Sequence, residues 1–397
     1  MSTTFAAPGF HARWNATAAL KAAAAFWFVV LVLGQLMFAS SIALMYSMTA
    51  LRGDMHAWNK RLAHGYVEGD TVGNAALMLH IAAAVLVMLS GAIQFLPSIR
   101  RRAPVLHRWN GRLYVGSAMV ISLGGLYLLI ARGTPTSVVQ QIGTGLLGVI
   151  VPVCAIMAWR YALKRDFATH RRWAFRLFLT TSTALFIRSG VILSVLIASR
   201  GGAVDLTLIK GPVLTAMTFG QYCVPLAILE LYFWTQTRGT ASARWAMAAA
   251  LAVITFIMAS GIAAASVGLF IPNYRTAFDA RRSIAVELAT TIKSGGVQTA
   301  IAQYHRLRTT TPIVYNFDED ELNALGYDLL RAGKYQDAIA IFQLNTETYP
   351  HSGNTWDSLA EGYMDNGDSR TAIADYRKSL AINPGNQNAM AMLQKLR

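Results

Sequence analysis

Charge is what this 397-residue sequence has least of. Asp, Glu, Lys and Arg together make up 14%, against 54% hydrophobic residues and a mean hydropathy of +0.38. Soluble domains carry about a quarter charged residues, so a soluble fold is excluded for the chain as a whole. Acidic residues are scarcest, 20 against 35 Lys and Arg, which leaves a net charge of +15. Such an excess can mark a nucleic-acid binder, but here the basic residues gather in short turns between apolar stretches. The positive-inside rule explains that placement, and no nucleic-acid partner is expected. Cysteine is nearly absent. The two present, Cys154 and Cys223, lie in apolar runs, which argues against a structural disulfide and leaves the redox compartment unread. A cleavable signal peptide is also missing: the first apolar run begins near Ala22, is too long and lacks a small-residue cleavage site. The first helix is therefore expected to stay as an anchor. No G-x-S-x-G or S-x-x-K context stands in a suitable soluble segment, so catalytic residues stay unassigned.

What the sequence does have is long apolar runs. Seven candidate spans, at 22–48, 75–96, 113–131, 142–159, 174–198, 211–234 and 245–270, are each long enough to cross or nearly cross a core of about 30 Å. The expected fold is all-α, a polytopic transmembrane helix bundle followed by a soluble helical-repeat domain. Orientation follows from the turns. Those after the second, fourth and sixth spans hold Arg100, Arg101, Arg102, Arg108 and Arg112, then Arg160, Lys164, Arg165, Arg171, Arg172 and Arg176, then Arg238 and Arg244. The opposite loops offset Arg52, Lys60 and Arg61 with Asp54, Glu68 and Asp70. This places the N-terminus, with His11 and Arg13, in the cytoplasm of a bacterial cell, the bundle in its inner membrane and the C-terminus in the periplasm. Trp109, Tyr114, Trp159, Tyr161 and Trp173 flank the basic turns as an interfacial belt would. Anionic headgroups are the expected partner of those turns.

After Pro272 the composition becomes that of a soluble helical protein. Leu322, Leu325, Gly326, Ala338, Phe342 and Pro350 recur about 34 residues later as Trp356, Leu359, Ala360, Ala372, Tyr376 and Pro384, which is the tetratricopeptide spacing. Tyr363 follows in the second repeat. Small residues at Gly326, Ala338, Ala360 and Ala372 let paired helices approach, and Phe342 and Tyr376 fill the space between them. Two repeats bury a core poorly, so a degenerate pair at 280–292 and 297–308 and a closing helix at 386–396 are expected to complete the stack. The expected domains are a cytoplasmic segment at 1–21, the bundle at 22–271, a linker with the degenerate pair at 272–316 and the repeat domain at 317–397. The tail resembles tetratricopeptide tails appended to bacterial periplasmic hydrolases. The resemblance implies a periplasmic module that binds a protein or peptide, while His305 and His351 read as solvated.

Three histidines lie in or at the edge of the membrane. His80 is separated from the inner end of its helix by about 25 Å at 1.5 Å per residue, so it cannot share an ion with His107 and His170, which both open spans from the cytoplasmic face. Those two could bracket one ion or haem, with Arg108, Arg112, Arg171 and Arg172 at hand; equally, they could sit at headgroup level and fix orientation. Arg188 lies deep in the fifth span, where an arginine costs about 2.5–3.5 kcal/mol, and its depth matches that of His80. The pair is read either as a polar site for a small anion, a quinone carbonyl or a haem propionate, or as a structural contact. Gln94 and Glu230 lie near the inner ends of their spans, and Glu230 would pair with Arg108, Arg112 or Arg176. Gly111, Gly116, Gly124 and Gly125 could clear a porphyrin face but serve helix packing equally well.

The string LHIAAAVLVMLSGAIQFLPSIRRRAPVLHRWNGRLYVG, with RDFATHRRWAFR and Arg188, resembles an uncharacterised family of predicted bacterial inner-membrane proteins with no assigned reaction. The pattern of histidines is also similar to that of two-haem b-type transmembrane cytochromes. That resemblance implies haem b on His107 and His170; His80 finds only Gln140, Gln141 and Gly143 where an outer partner would stand. Three functions follow: an anchored interaction protein, a haem-binding electron-transfer protein, or a small-solute transporter built on His80 and Arg188.

Overall fold

The chain folds as helices end to end because its membrane segments are apolar on every side and contain no β-type alternation. The computed structural model describes residues 15–60, 62, 65–133, 136–198 and 211–396. His11, Arg13 and Arg61 lie outside the described residues. The membrane part comprises α1 (Ala16–Leu51), α2 (Thr71–Gln94), the short α3 (Pro97–Arg102), α4 (Pro104–Ala131), α5 (Val138–Leu163), α6 (Phe167–Thr181), α7 (Thr183–Ala198), α8 (Pro212–Arg238) and α9 (Ala241–Ala265). A π-helical turn (Ser266–Phe270) joins α9 to α10 (Ile271–Phe278) without a break. Six of these helices are by themselves long and apolar enough to cross a membrane, and the pair α6–α7, bent by 44°, is a seventh candidate.

Side-chain caps start most of them. Asn15, Asp70, Asp166 and Thr240 each accept the backbone N–H three residues on, and Ser137 with Gln140 forms a full capping box. Asp70 also takes the Arg132 guanidinium at 2.9 Å, so a carboxylate at the start of α2 meets a cation at the end of the antiparallel α4. The bend between α6 and α7 has a local cause. Thr180, Thr181, Ser182 and Thr183 all donate their hydroxyls back to carbonyls three or four residues earlier, which competes with the helical ladder. Outward faces carry Leu33, Leu123, Ile156 and Phe256, which are more than half exposed in the Leu33, Leu123, Ile156 and Phe256 positions and suited to lipid.

The first and last membrane helices run parallel. Arg244 Nη1 donates to Thr17 Oγ1 at 3.1 Å near one end, and at the other Ser40 Oγ lies 2.6 Å from Tyr274 Oη, with Phe38 stacked on Phe270. Composition changes at Pro272, but the helix continues to Phe278, because proline in a first turn forgoes an N–H that needs no partner there.

Beyond it, the two-residue strands β1 (Arg282–Ser283) and β2 (Tyr315–Asn316) pair in parallel around α11 (Ile284–Thr310), which breaks at Gly296 where φ is 79°. Five helices follow: α12 (Glu319–Arg331), α13 (Tyr335–Thr348), α14 (Gly353–Asp365), α15 (Ser369–Ile382) and α16 (Gln387–Lys395). The first four stack as two antiparallel pairs, and α16 packs on α15. A Cβ on Gly326 would fall 2.3 Å from Phe342 Cε1, so the first pair closes only over a glycine. Ala360 and Tyr376, both fully buried, repeat the arrangement in the second pair. Glu321, 2% exposed, ties α12 to the start of α11 by accepting from Ser283 Oγ and the Ala285 N–H.

This outer module rests on the connection between α1 and α2. In the 3₁₀ turn Met55–Lys60, His56 Nδ1 lies 3.0 Å from Asp328 Oδ2 and Asn59 Nδ2 donates to Asp328 Oδ1 at 2.9 Å. Lys293 pairs with Glu68, and Arg52 donates to the carbonyls of Ala277 and Asp279. Burial pushes the Asp328 carboxyl up, but the His56 hydrogen bond and the Arg331 charge outweigh it and hold the group below its ordinary value of 3.8. A folded pKa below the unfolded one means that the contact stabilises fully above the ordinary carboxylate range and is lost as pH falls through the depressed value. The distance between labels placed at Val72 and Lys334 is therefore expected to stay constant from neutral pH down to about pH 4 and to lengthen below it. Asp328→Asn is expected to lengthen it already at neutral pH; an unchanged distance in that variant would show that the latch does not hold the module.

Candidate functional site

Two groups of polar side chains lie inside the bundle, one at its arginine-rich end and one deeper. At the arginine-rich end, α2 and α4 are joined by a chain of amides. Asn110 Nδ2 donates to the Ser90 carbonyl at 2.8 Å and to Gln94 Oε1 at 3.0 Å, and Gln94 Nε2 lies 3.4 Å from His107 Nε2. Gly111 makes room for this: a Cβ there would meet Gln94 Nε2 at 2.9 Å. The other ring nitrogen of His107, Nδ1, is buried without a partner.

His170, in the first turn of α6, donates Nδ1–H to the Ala158 carbonyl of α5 at 2.8 Å. A carbonyl can only accept, so this bond fixes the tautomer and leaves the Nε2 lone pair uncommitted. His107 and His170 are close enough for the charge of one to act on the other, and their helices meet further in, where Tyr114 Oη lies 2.9 Å from Thr181 Oγ1. The structure thus brings the two histidines to the same end of the bundle, His107 against Gln94 of α2 and His170 against the Ala158 carbonyl of α5.

The arginines around them lie over aromatic rings. Arg112 lies 4.5 Å from the Trp109 ring, Arg171 5.7 Å from Phe175, Arg172 5.2 Å from Phe233 and Arg176 4.5 Å from Trp173. Arg108 is exposed. Of the three candidates for Glu230, Arg176 is the partner, at 2.7 Å.

The deeper group centres on Arg188. Its Nη1 donates to the Ala184 carbonyl at 3.1 Å, its guanidinium lies 5.1 Å from the Phe38 ring, and Tyr46 is within electrostatic reach. Among the described residues no carboxylate forms an ion pair with it. His80 is near enough to feel its charge, and the His80 ring lies against the Ile121 carbonyl and the bare faces of Gly124 and Gly125. A Cβ on Gly125 would sit 3.1 Å from His80 Cε1, so these glycines accommodate the imidazole itself, whereas Gly116 faces open space. His80 Nδ1 is buried and unpartnered.

Asn110, Tyr114, Thr181, Gln35 and Ser182 complete these contacts, with Gln35 Nε2 donating to Ser182 Oγ at 2.7 Å. Asn110 could have been suspected from its place three residues after His107, on the same helix face. Gln35 stands as a lone amide within an apolar run, which is itself a signal in a membrane helix. The hydroxyls of Thr181 and Ser182 carried no such mark.

Residues 77–224 match the family model described as "Predicted membrane protein (DUF2306)". The matched stretch runs from α2 into α8, so it contains His80, His107, His170 and Arg188 but leaves out α1, with Gln35 and Phe38, as well as α9 and the outer module. None of the curated proteins matches the chain. Within that stretch the amide chain is the contact whose removal is most informative. Asn110→Ala removes two hydrogen bonds, each worth about 0.6 kcal/mol on average between membrane helices, and is expected to weaken the α2–α4 pair by about 1 kcal/mol. Unfolding of the purified protein in denaturing detergent measures this, with the outward-facing Leu113→Ala as control; equal stability of the two variants would remove the amide chain from the list of structural ties.

Proposed function

We propose that the chain is a multi-pass protein of the bacterial inner membrane that displays a tetratricopeptide module on its periplasmic side, where the module binds a cationic peptide segment of a partner protein. The parallel course of the first and last membrane helices supports an odd number of crossings, and hence seven with α6–α7 counted as one. The observation that carries the binding role is the row of acidic and amide groups on the first helix of each pair, the face that such stacks turn toward a ligand. Tyr327 donates to Glu361 at 2.6 Å, Asn388 donates to Asp357 and Glu361 at 3.0 and 2.7 Å, and Asn354 donates to Glu319 at 2.8 Å. Glu319 and Glu361, held this way and partly exposed, present negative charge on a rigid surface with the buried Asp357 behind them, which selects for Lys and Arg in an extended segment. Calorimetric titration of the full chain with a lysine-rich and a glutamate-rich peptide tests it. Only the first is expected to bind, and Asp357→Asn with Glu361→Gln is expected to weaken it about tenfold or more; equal binding of both peptides would refute the reading.

A second reading, haem binding, is favoured by the fixed tautomer of His170, since ligating histidines commonly donate their other N–H to a backbone carbonyl. His170 through Nε2 and His107 would hold the iron, with Arg108, Arg112, Arg171 and Arg172 at the same end for the propionates. Bound haem would supply one-electron transfer. His107 must then exchange its weak Gln94 contact for the metal and turn its imidazole from α2 toward α6. The visible spectrum decides. A Soret band and a sharp α-band on reduction, both lost in His170→Ala, are expected; protein that is colourless after expression with ample haem would end this reading while leaving the first intact.

A further inference from the structure

Between α1, α6, α7, α8 and α9 the bundle encloses a cavity of about 710 Å³. It shares no polar group with the amide chain or with Arg188. Its walls are aromatic and aliphatic, with Trp27, Phe28, Phe175 and Phe186 prominent, and among the described residues Lys21 and Arg171 are the charged ones that line it. Both stand at the arginine-rich end. Pro97, at the same mouth, begins α3, whose Arg100, Arg101 and Arg102 are exposed. Among the described residues no carboxylate lines the space.

The cavity is not sealed from the bilayer. Val29, Val224 and Ile257 line it while being 51%, 56% and 55% exposed, so it opens sideways between helices. Along α8 it extends from Val224 to Gln236, about 18 Å at 1.5 Å per residue. At its deep end α7 and α9 approach closely over Gly261, where a Cβ would lie 3.2 Å from Ser189 Cβ.

Water is a poor occupant of such a space, since it needs two or more polar partners and the walls offer few. A hydrocarbon chain suits it. An acyl chain entering from the bilayer leaves one apolar medium for another, so it gains shape complementarity and little hydrophobic free energy. Selectivity must then come from the mouth, where two cations and a nearby arginine run favour an anionic headgroup, as basic pockets between membrane helices do.

We propose that this cavity is a binding site for one anionic diacyl phospholipid, with its phosphate between Lys21 and Arg171 and one acyl chain lying along α8. The full chain in detergent, titrated with phosphatidylglycerol and with phosphatidylcholine of identical acyl chains, reports occupancy directly by native mass spectrometry. A single saturable adduct is expected, with about tenfold preference for phosphatidylglycerol. Lys21→Gln with Arg171→Gln is expected to abolish the preference while leaving weak binding of both lipids. Gly190→Phe fills the cavity from a position where a Cβ meets no atom within 4 Å, and is expected to remove the adduct for both. The proposal is overturned by equal binding of the two lipids to the unaltered protein, by a preference that survives the charge substitutions, or by an adduct that survives Gly190→Phe. Displacement of phosphatidylglycerol by a neutral isoprenoid quinone at equal concentration would overturn it too.

Discussion

Hydrocarbon offers no hydrogen bonds, and most of the interior architecture follows from that. Burying a polar side chain within the spans is costly unless it bonds to another helix or to its own backbone, and most of those buried here do so. The pairs found are distributed almost one to a helix contact: Gln35 with Ser182 joins α1 to the α6–α7 bend, Tyr114 with Thr181 joins α4 to α6, and Asn110 with the Ser90 carbonyl joins α4 to α2. Ser122 with the Gly148 carbonyl joins α4 to α5, and Gln140 with Thr215 joins α5 to α8. Individually these bonds are modest. Together they fix which faces of otherwise uniform apolar helices meet, a choice that apolar packing leaves weakly determined.

The same constraint separates the arginines into two kinds. Those at the basic end have an outlet, because they lie over Trp109, Phe175, Phe233 and Trp173 and can keep their charge at headgroup level. Arg188 has none. Its contacts are an aromatic face, a carbonyl of its own helix and the neighbourhood of His80, and none of these cancels a charge. Bulk composition treats all these residues alike, yet Arg176 ties α6 to α8 through Glu230 whereas Arg188 sits in the interior without an ion pair among the described residues.

What the sequence made legible was whatever repeats or stands out locally. Apolar length announced the membrane helices, Arg188 and Gln94 stood out against their surroundings, and the recurrence of Gly326 and Phe342 as Ala360 and Tyr376 followed the period of paired helices. What stayed hidden depends on partners far along the chain. The bend at Ser182 comes from four consecutive hydroxyls, each unremarkable alone, and its anchor, Gln35, lies 147 residues away. The contact of His56 with Asp328 spans 272 residues and joins a loop that carried no periodic signal. For His107 the sequence showed the imidazole but not the neighbouring Gln94 amide, because helix register between α2 and α4 is set by packing around Gly111.

The latch between His56 and Asp328 also decides how the two halves of the molecule can communicate. The outer module is attached twice: covalently through the helix that continues α9 to Phe278, and non-covalently through the turn that follows α1. Since α1 and that last helix run side by side and are bonded near both ends, a displacement of the module must be shared by the pair. Those two helices also form one wall of the lateral cavity, through Trp27, Phe28 and Met258. A single attachment would let the module swing without consequence for the membrane part. Two attachments to parallel helices make the end of that pair at Lys21 mechanically continuous with the module.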